Sequence, residues 1–179
     1  MAMTLLLGGA ASGKSRVATE LAVESGLPVV FVATAEALDD EMAVKIERHR
    51  AARPAEWLLV EEPIALTEAI TATPEDAALI VDCLTLWVAN LLGADRTDDE
   101  ILAVATGAAA AAAARPTPTL VVSNEVGSGI VPMELESRRY RELLGVVNAL
   151  FGDAADAVAL LVAGRAVRLS EPITTLGAS

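Results

Sequence analysis

Cysteine, histidine and aromatic residues are scarce in this chain, and so is positive charge. Its 179 residues include one cysteine, Cys83, one histidine, His49, and only 3% aromatics. A single cysteine excludes an internal disulfide and a cysteine-based zinc cluster. Few aromatics within 54% hydrophobic residues mean an aliphatic, alanine-rich core. The chain carries 13 basic against 25 acidic residues, a net charge of -12. That balance argues against a basic surface for a nucleic-acid backbone and reads most simply as a solubility feature. No basic segment leads into an apolar signal core, and Gly8, Gly9 and Gly13 interrupt the early apolar run. Uncharged apolar runs fall short of the roughly 18 residues a membrane span needs, apart from the stretch around Ala108 to Ala114. Alanine is a strong helix former of weak apolarity, so that stretch reads as a soluble outer helix. The expectation is a soluble, cytoplasmic chain with no membrane span and no nucleic-acid partner, folded as one domain over 1–179.

What is present is a glycine-rich turn, Gly8-Gly9-Ala10-Ala11-Ser12-Gly13-Lys14-Ser15. It follows an apolar strand pattern, Met3 to Leu7, and precedes the helical spacing of Arg16 to Ala22. Strand, turn and helix in that order make G-x-x-x-x-G-K-S a phosphate loop. Gly8 and Gly13 permit backbone angles that a Cβ forbids. The loop amides then face phosphate oxygens, and the helix N-terminus adds partial positive charge. Lys14 is expected to reach the β- and γ-phosphates, and Ser15 to ligate Mg²⁺.

Downstream, apolar runs and helical stretches alternate. Strand patterns fall at 27–33, 57–60, 77–82, 119–123 and 157–163, with 166–169 as a last edge strand after a turn at Gly164. Helices are expected at 39–52, 64–70, 84–92, from Asp98 through the alanine run, and at 134–151. Residues 170–179 read as a loose tail. Such alternation implies a mostly parallel sheet between helices. Ligands of these sheets sit beyond the strand C-termini, where the phosphate loop, Thr34, Glu61, Asp82 and Asn124-Glu125 all fall.

Asp82 ends an apolar strand, the position from which a phosphate-loop enzyme holds Mg²⁺. His49 shares a helix face with Met42 and Ile46. Its neighbours Lys45, Arg48, Arg50 and Arg53 are basic. A core histidine and a neutral, nucleophilic imidazole kept uncharged by those cations both fit. Glu61 and Glu62 read as solvated acids after a strand. Asn124 to Pro132 combines two polar side chains with two glycines, a loop able to shape a site or to close over one. Trp57, Trp87 and Tyr140 read as core or interface residues, and Cys83 as a buried apolar-type residue.

Taken in order, several segments share a resemblance. They are Gly8 to Ser15, Ala33-Thr34-Ala35, Asp39-Asp40-Glu41-Met42, Ile46 with His49, Arg53-Pro54 with Trp57 and Glu61, Asp82-Cys83-Leu84-Thr85, and Asn90-Leu91-Leu92. Asn124-Glu125-Val126-Gly127, Gly129-Ile130-Val131-Pro132 and the Arg138-Arg139-Tyr140-Arg141 to Asn148 helix follow. From about Thr4 to Leu169 the chain resembles the bifunctional adenosylcobinamide kinases/adenosylcobinamide-phosphate guanylyltransferases of cobalamin biosynthesis. The resemblance implies a RecA-like phosphate-loop fold, a mostly parallel sheet with an antiparallel edge and helices on both faces, assembled as a homotrimer. It implies phosphorylation of adenosylcobinamide by ATP or GTP, then transfer of GMP from GTP to adenosylcobinamide phosphate through a guanylylated histidine. His49 matches that histidine. Gly8, Gly9, Ala10, Ala11, Ser12, Gly13, Lys14, Ser15, Ala33, Thr34, Ala35, Arg50, Ala51, Ala52, Arg53, Glu61 and Asp82 match the nucleotide site. Ser15 and Asp82 would hold Mg²⁺. Two departures stand out: 92–118 is alanine-rich without motifs, and Ala11 stands where many relatives carry arginine. Rival readings are a phosphate-loop kinase of another small alcohol with a structural His49, and a nucleotide-binding module without turnover.

Overall fold

The computed structural model of the chain describes residues 3–36, 44, 47, 50 and 54–169. Its strands are β1 (Met3–Gly8), β2 (Val29–Ala33), β3 (Leu58–Glu61), β4 (Ala78–Asp82), β5 (Thr119–Val122), β6 (Ala157–Val162) and β7 (Arg165–Leu169). They form a seven-stranded sheet in the order β3-β2-β4-β5-β1-β6-β7. All neighbours are parallel except the β6–β7 pair, which makes an antiparallel edge. The helices among the described residues are α1 (Lys14–Glu24), α2 (Leu66–Ala72), α3 (Leu84–Gly93), α4 (Asp98–Ala113) and α5 (Leu135–Ala154).

The central strands explain the apolar runs. β2 and β5 are buried at every position, as expected of parallel strands covered on both faces. Successive side chains point to opposite faces, so each strand feeds two cores. Leu5, Val30, Val32, Leu79, Val81 and Val121 pack with Leu66, Trp87, Ile101 and Phe151 of α2 to α5. Leu6, Phe31, Ala33, Ile80, Leu120 and Val122 pack with Ala18 and Ala22 of α1. Helices therefore cover both faces.

The alanine run does more than coat the outside. Ile101, Ala105, Ala108, Ala109 and Ala112 form a buried face of α4, which packs on α2 and α5. Small side chains let these helices approach closely. The cap lies one residue before the expected start. Thr97 and Glu100 form a reciprocal capping box, with Thr97 N donating to the Glu100 carboxylate at 2.9 Å. Among the described residues, no helix is long and apolar enough to cross a membrane.

Two further boundaries move for local reasons. The helix expected at Ile64 begins at Leu66, because the Glu62 carboxylate accepts from Ile64 N (3.0 Å) and Ala65 N (2.7 Å). Glu62 is thus half-buried and bonded to the backbone just ahead of α2, rather than a solvated acid. The strand expected from Leu27 begins at Val29. The helix expected over 39–52 lies outside the described residues, apart from Val44, Glu47 and Arg50, which are helical and exposed.

Candidate active site

The strand register assembles the site. Leu6 is level with Val122, Val122 with Asp82, Asp82 with Ala33, and Ala33 with Glu61. One row across the C-terminal edge of the sheet therefore carries Glu61, Ala33 and Asp82, and the phosphate loop leaves β1 two residues beyond the same row.

The loop turns from β1 into α1 through two glycines, Gly8 and Gly13, whose backbone angles or surroundings disfavour a side chain. A Cβ on Gly8 would meet the Leu161 carbonyl oxygen at 2.4 Å and Ser12 Oγ at 2.7 Å. Gly13 caps α1 with φ of 100°, and a Cβ there would meet Gly164 Cα at 3.4 Å. Ala11 adopts φ of 55°, a left-handed backbone that costs an alanine about 1 kcal/mol. The β6–β7 turn braces the loop from behind. Gly164 N donates to Ser12 O at 3.0 Å, and Arg16 Nη2 donates to Gly164 O at 3.3 Å. This brace was not legible beforehand: the turn at Gly164 was, its target was not.

These contacts separate two adjacent glycines. Gly8→Ala should lower stability by roughly 1–3 kcal/mol, the usual cost of overpacking against backbone, and weaken nucleotide binding with it. Gly9→Ala should do neither, because nothing lies within 4 Å of a Cβ there. Urea titration and nucleotide titration of both variants check this; equal behaviour of the two would contradict the bracing contact.

Lys14 is buried. Its ammonium donates to Gly8 O at 2.9 Å and Gly9 O at 2.7 Å, with Ser12 Oγ at 3.4 Å. Burial holds its pKa below the usual lysine value, and the negative charge of Asp82 partly opposes that shift. Lys14 and Asp82 thus share one electrostatic environment. Asp82 itself is half-buried at the end of β4. Its carboxylate and the Ser15 hydroxyl are hard oxygen donors. Among the described residues no cluster of three or more His, Cys, Asp or Glu forms a metal cage. Such a sparse donor set fits Mg²⁺, which keeps several waters and takes phosphate oxygens from its substrate.

Thr34 and Asn90 shape this edge rather than face it. Thr34 Oγ1 donates to Cys83 O at 2.7 Å and accepts from Cys83 N at 2.9 Å. Asn90 Nδ2 donates to Thr34 O (2.7 Å) and Pro63 O (3.2 Å), tying α3 to the ends of β2 and β3. The Thr34 side chain is thereby committed to holding the Asp82–Cys83 segment. Burial, and then the charge of Asp82, push the Cys83 thiol up to about 11. Burial likewise pushes the Tyr140 phenol up to about 12. Both stay protonated at neutral pH, so neither is a ready nucleophile. Trp87 is fully buried, and Trp57 stacks on Phe31 with centroids 6.5 Å apart; both are packing residues.

Arg50 and Glu61 pair with each other, and Arg50 also reaches Glu47 at 3.1 Å. His49, Ala51, Ala52 and Arg53 lie outside the described residues. On the other side of the loop, Glu125 N donates to Gly8 O at 3.2 Å. The Glu125 carboxylate accepts from Gly127 N and Ser128 N, and Asn124 is fixed from both sides, its N donating to Thr85 Oγ1 (2.8 Å) and its O accepting from Asn148 Nδ2 (3.0 Å). The roles of Thr85 and Asn148 were not legible in advance, because each acts on backbone distant in sequence.

Comparison with known proteins agrees with this geometry. A family model described as cobinamide kinase / cobinamide phosphate guanyltransferase matches residues 4–169. The bifunctional adenosylcobalamin biosynthesis protein CobP of Pseudomonas aeruginosa is 44% identical over 174 residues, covering 94% of this chain and 98% of that protein. The bifunctional adenosylcobalamin biosynthesis protein CobU of Escherichia coli K12 is 40% identical over 181 residues, covering 93% and 99%. Among solved structures, the RadB recombinase aligns with a TM-score of 0.52 at 17% identity, over 89% of this chain and 73% of that one. Flagellar accessory protein FlaH from Methanocaldococcus jannaschii aligns with a TM-score of 0.50 at 14% identity, over 96% and 79%. Those two likenesses bear on the fold, which is RecA-like.

Proposed function

Because the chain belongs to the cobinamide kinase/cobinamide phosphate guanyltransferase family, we propose that one phosphate loop serves its two reactions in turn. The enzyme is a bifunctional transferase of adenosylcobalamin biosynthesis. The finer reading is that it phosphorylates adenosylcobinamide with ATP or GTP and then guanylylates the product through His49. What carries it is the coexistence, within the matched residues 4–169, of Lys14 on a braced loop and the chain's single histidine.

In the kinase step the adenosylcobinamide hydroxyl attacks the γ-phosphorus. The bond from γ-phosphorus to its bridging oxygen breaks, the nucleoside diphosphate leaves, and the hydroxyl proton passes to solvent. In the transfer step the neutral imidazole of His49 attacks the α-phosphorus of GTP and pyrophosphate leaves. An oxygen of adenosylcobinamide phosphate then attacks that phosphorus, the N–P bond breaks, and adenosylcobinamide-GDP is released. Lys14 stabilises charge developing on the phosphates, its ammonium held at the loop and exchanging a loop contact for a phosphate oxygen. Ser15 and Asp82 would hold Mg²⁺, which when bound neutralises phosphate charge. Loop amides from Gly8 to Ser15, the segment Ala33 to Ala35, and Arg50 to Arg53 with Glu61 complete the nucleotide site in this reading. Arg50 is free to exchange Glu61 for a phosphate, since an exposed ion pair is worth only about 0–1 kcal/mol. The rest of the reading is one catalytic domain, from the chain's length, a cytoplasmic location, from its composition, and a homotrimer, from the family resemblance.

The test is incubation with adenosylcobinamide, ATP, GTP and Mg²⁺, with chromatography of the corrinoids. Adenosylcobinamide-GDP and pyrophosphate should form in equal amounts. Accumulation of the phosphate alone would reduce the enzyme to a kinase.

A further inference from the structure

The segment that leaves the phosphate loop's neighbour Glu125 is unusually apolar for a surface. Ile130 is 96% exposed, Val131 56%, Met133 86% and Leu135 72%. Four large apolar side chains within six residues face solvent on a chain of net charge -12. Several large apolar side chains exposed this close together point to a binding surface.

The segment is held in that attitude from behind. Arg141 of α5 donates to Gly127 O and to Gly129 O, the latter at 3.4 Å. Arg138, one helical turn earlier, donates to Pro132 O at 3.1 Å and to Met133 O. These arginines take up the backbone carbonyls and leave the apolar side chains outside. The root of the segment is fixed as well, through the Glu125 N to Gly8 O bond.

We propose that this segment is the platform for the corrin ring of the substrate. The inference rests on the function proposed above and deepens it. Cobinamide is a methyl-covered apolar disc rimmed with carboxamides, and its reactive hydroxyl sits on a short arm from that rim. A hydroxyl delivered to phosphates on Gly8 to Ser15 therefore brings the disc down within an arm's length of the loop. The segment from Gly127 to Leu135 is continuous with that loop through Glu125 and offers the apolar surface required. Ile130 and Met133 are its most exposed members.

The experiment is equilibrium dialysis of coloured cobinamide against wild type, Ile130→Ser/Met133→Ser, and the conservative Ile130→Leu, with kinase kinetics in parallel. Losing two apolar contacts of this size should weaken corrinoid binding by about 10- to 100-fold and raise KM for cobinamide in step. KM for GTP should move less than twofold, and Ile130→Leu should bind as wild type does. Unchanged cobinamide affinity in the double variant overturns the proposal. So does a parallel loss of GTP affinity with a changed mass in light scattering, which would make the segment a contact between copies of the chain. Wild type that binds cobinamide but does not phosphorylate it would contradict the proposed activity while leaving the platform standing.

Discussion

Lys14→Ala should lose both half-reactions, each by roughly 10²- to 10³-fold or more, the range seen when one preorganised electrostatic donor is removed. Both fall because a single ammonium, seated between Gly8 O and Gly9 O, serves γ-attack and α-attack alike. The fold should survive. The lowered Lys14 pKa reflects a desolvation penalty that alanine does not carry. Lys14→Arg should not rescue, since a planar guanidinium cannot occupy the seat of a compact ammonium. Steady-state assays of each reaction, with circular dichroism to confirm folding, check this. Normal kinase turnover in a folded Lys14→Ala would sink the single-site account.

His49→Ala should split the two activities. Kinase turnover should stay within a few-fold of wild type, while guanylyl transfer falls by roughly 10³-fold or more, as for loss of a covalent nucleophile. Neither Cys83 nor Tyr140 is a ready replacement. The Cys83 thiol at about 11 and the Tyr140 phenol at about 12 remain protonated at neutral pH, and the sequence holds no second histidine. Adenosylcobinamide phosphate should accumulate in the assay. Near-normal formation of adenosylcobinamide-GDP by the variant would remove His49 from the chemistry.

How much of this was legible depends on whether the information is local. The phosphate loop was, because strand, glycines and helix are adjacent in sequence and each has one physical role. So was the parallel sheet, because strands buried on both faces must be continuously apolar. Asp82 stood out as the acid at the end of such a run. The strand order was not legible. The insertion of β5 between β1 and β4 is decided by packing between segments far apart in the chain. For the same reason Thr34 read only as a member of the nucleotide site. That both hydrogen bonds of its side chain go to Cys83 emerges once β2 lies beside β4. Glu62 looked like a solvated acid because its two backbone partners depend on how the chain turns ahead of α2. The brace of Gly164 on Ser12 joins the two ends of the sequence and has no local signature.

The central claim is that this chain carries GMP on His49 within the transfer reaction, after pyrophosphate leaves and before adenosylcobinamide phosphate attacks. It is tested by incubating wild type and His49→Ala with Mg²⁺ and GTP labelled at the α-phosphate, followed by denaturation. Wild type alone should retain label, in a form that acid releases and base does not, the behaviour of an N–P bond to histidine. Absence of label on folded, GTP-binding wild type, or equal label on both proteins, would contradict the account.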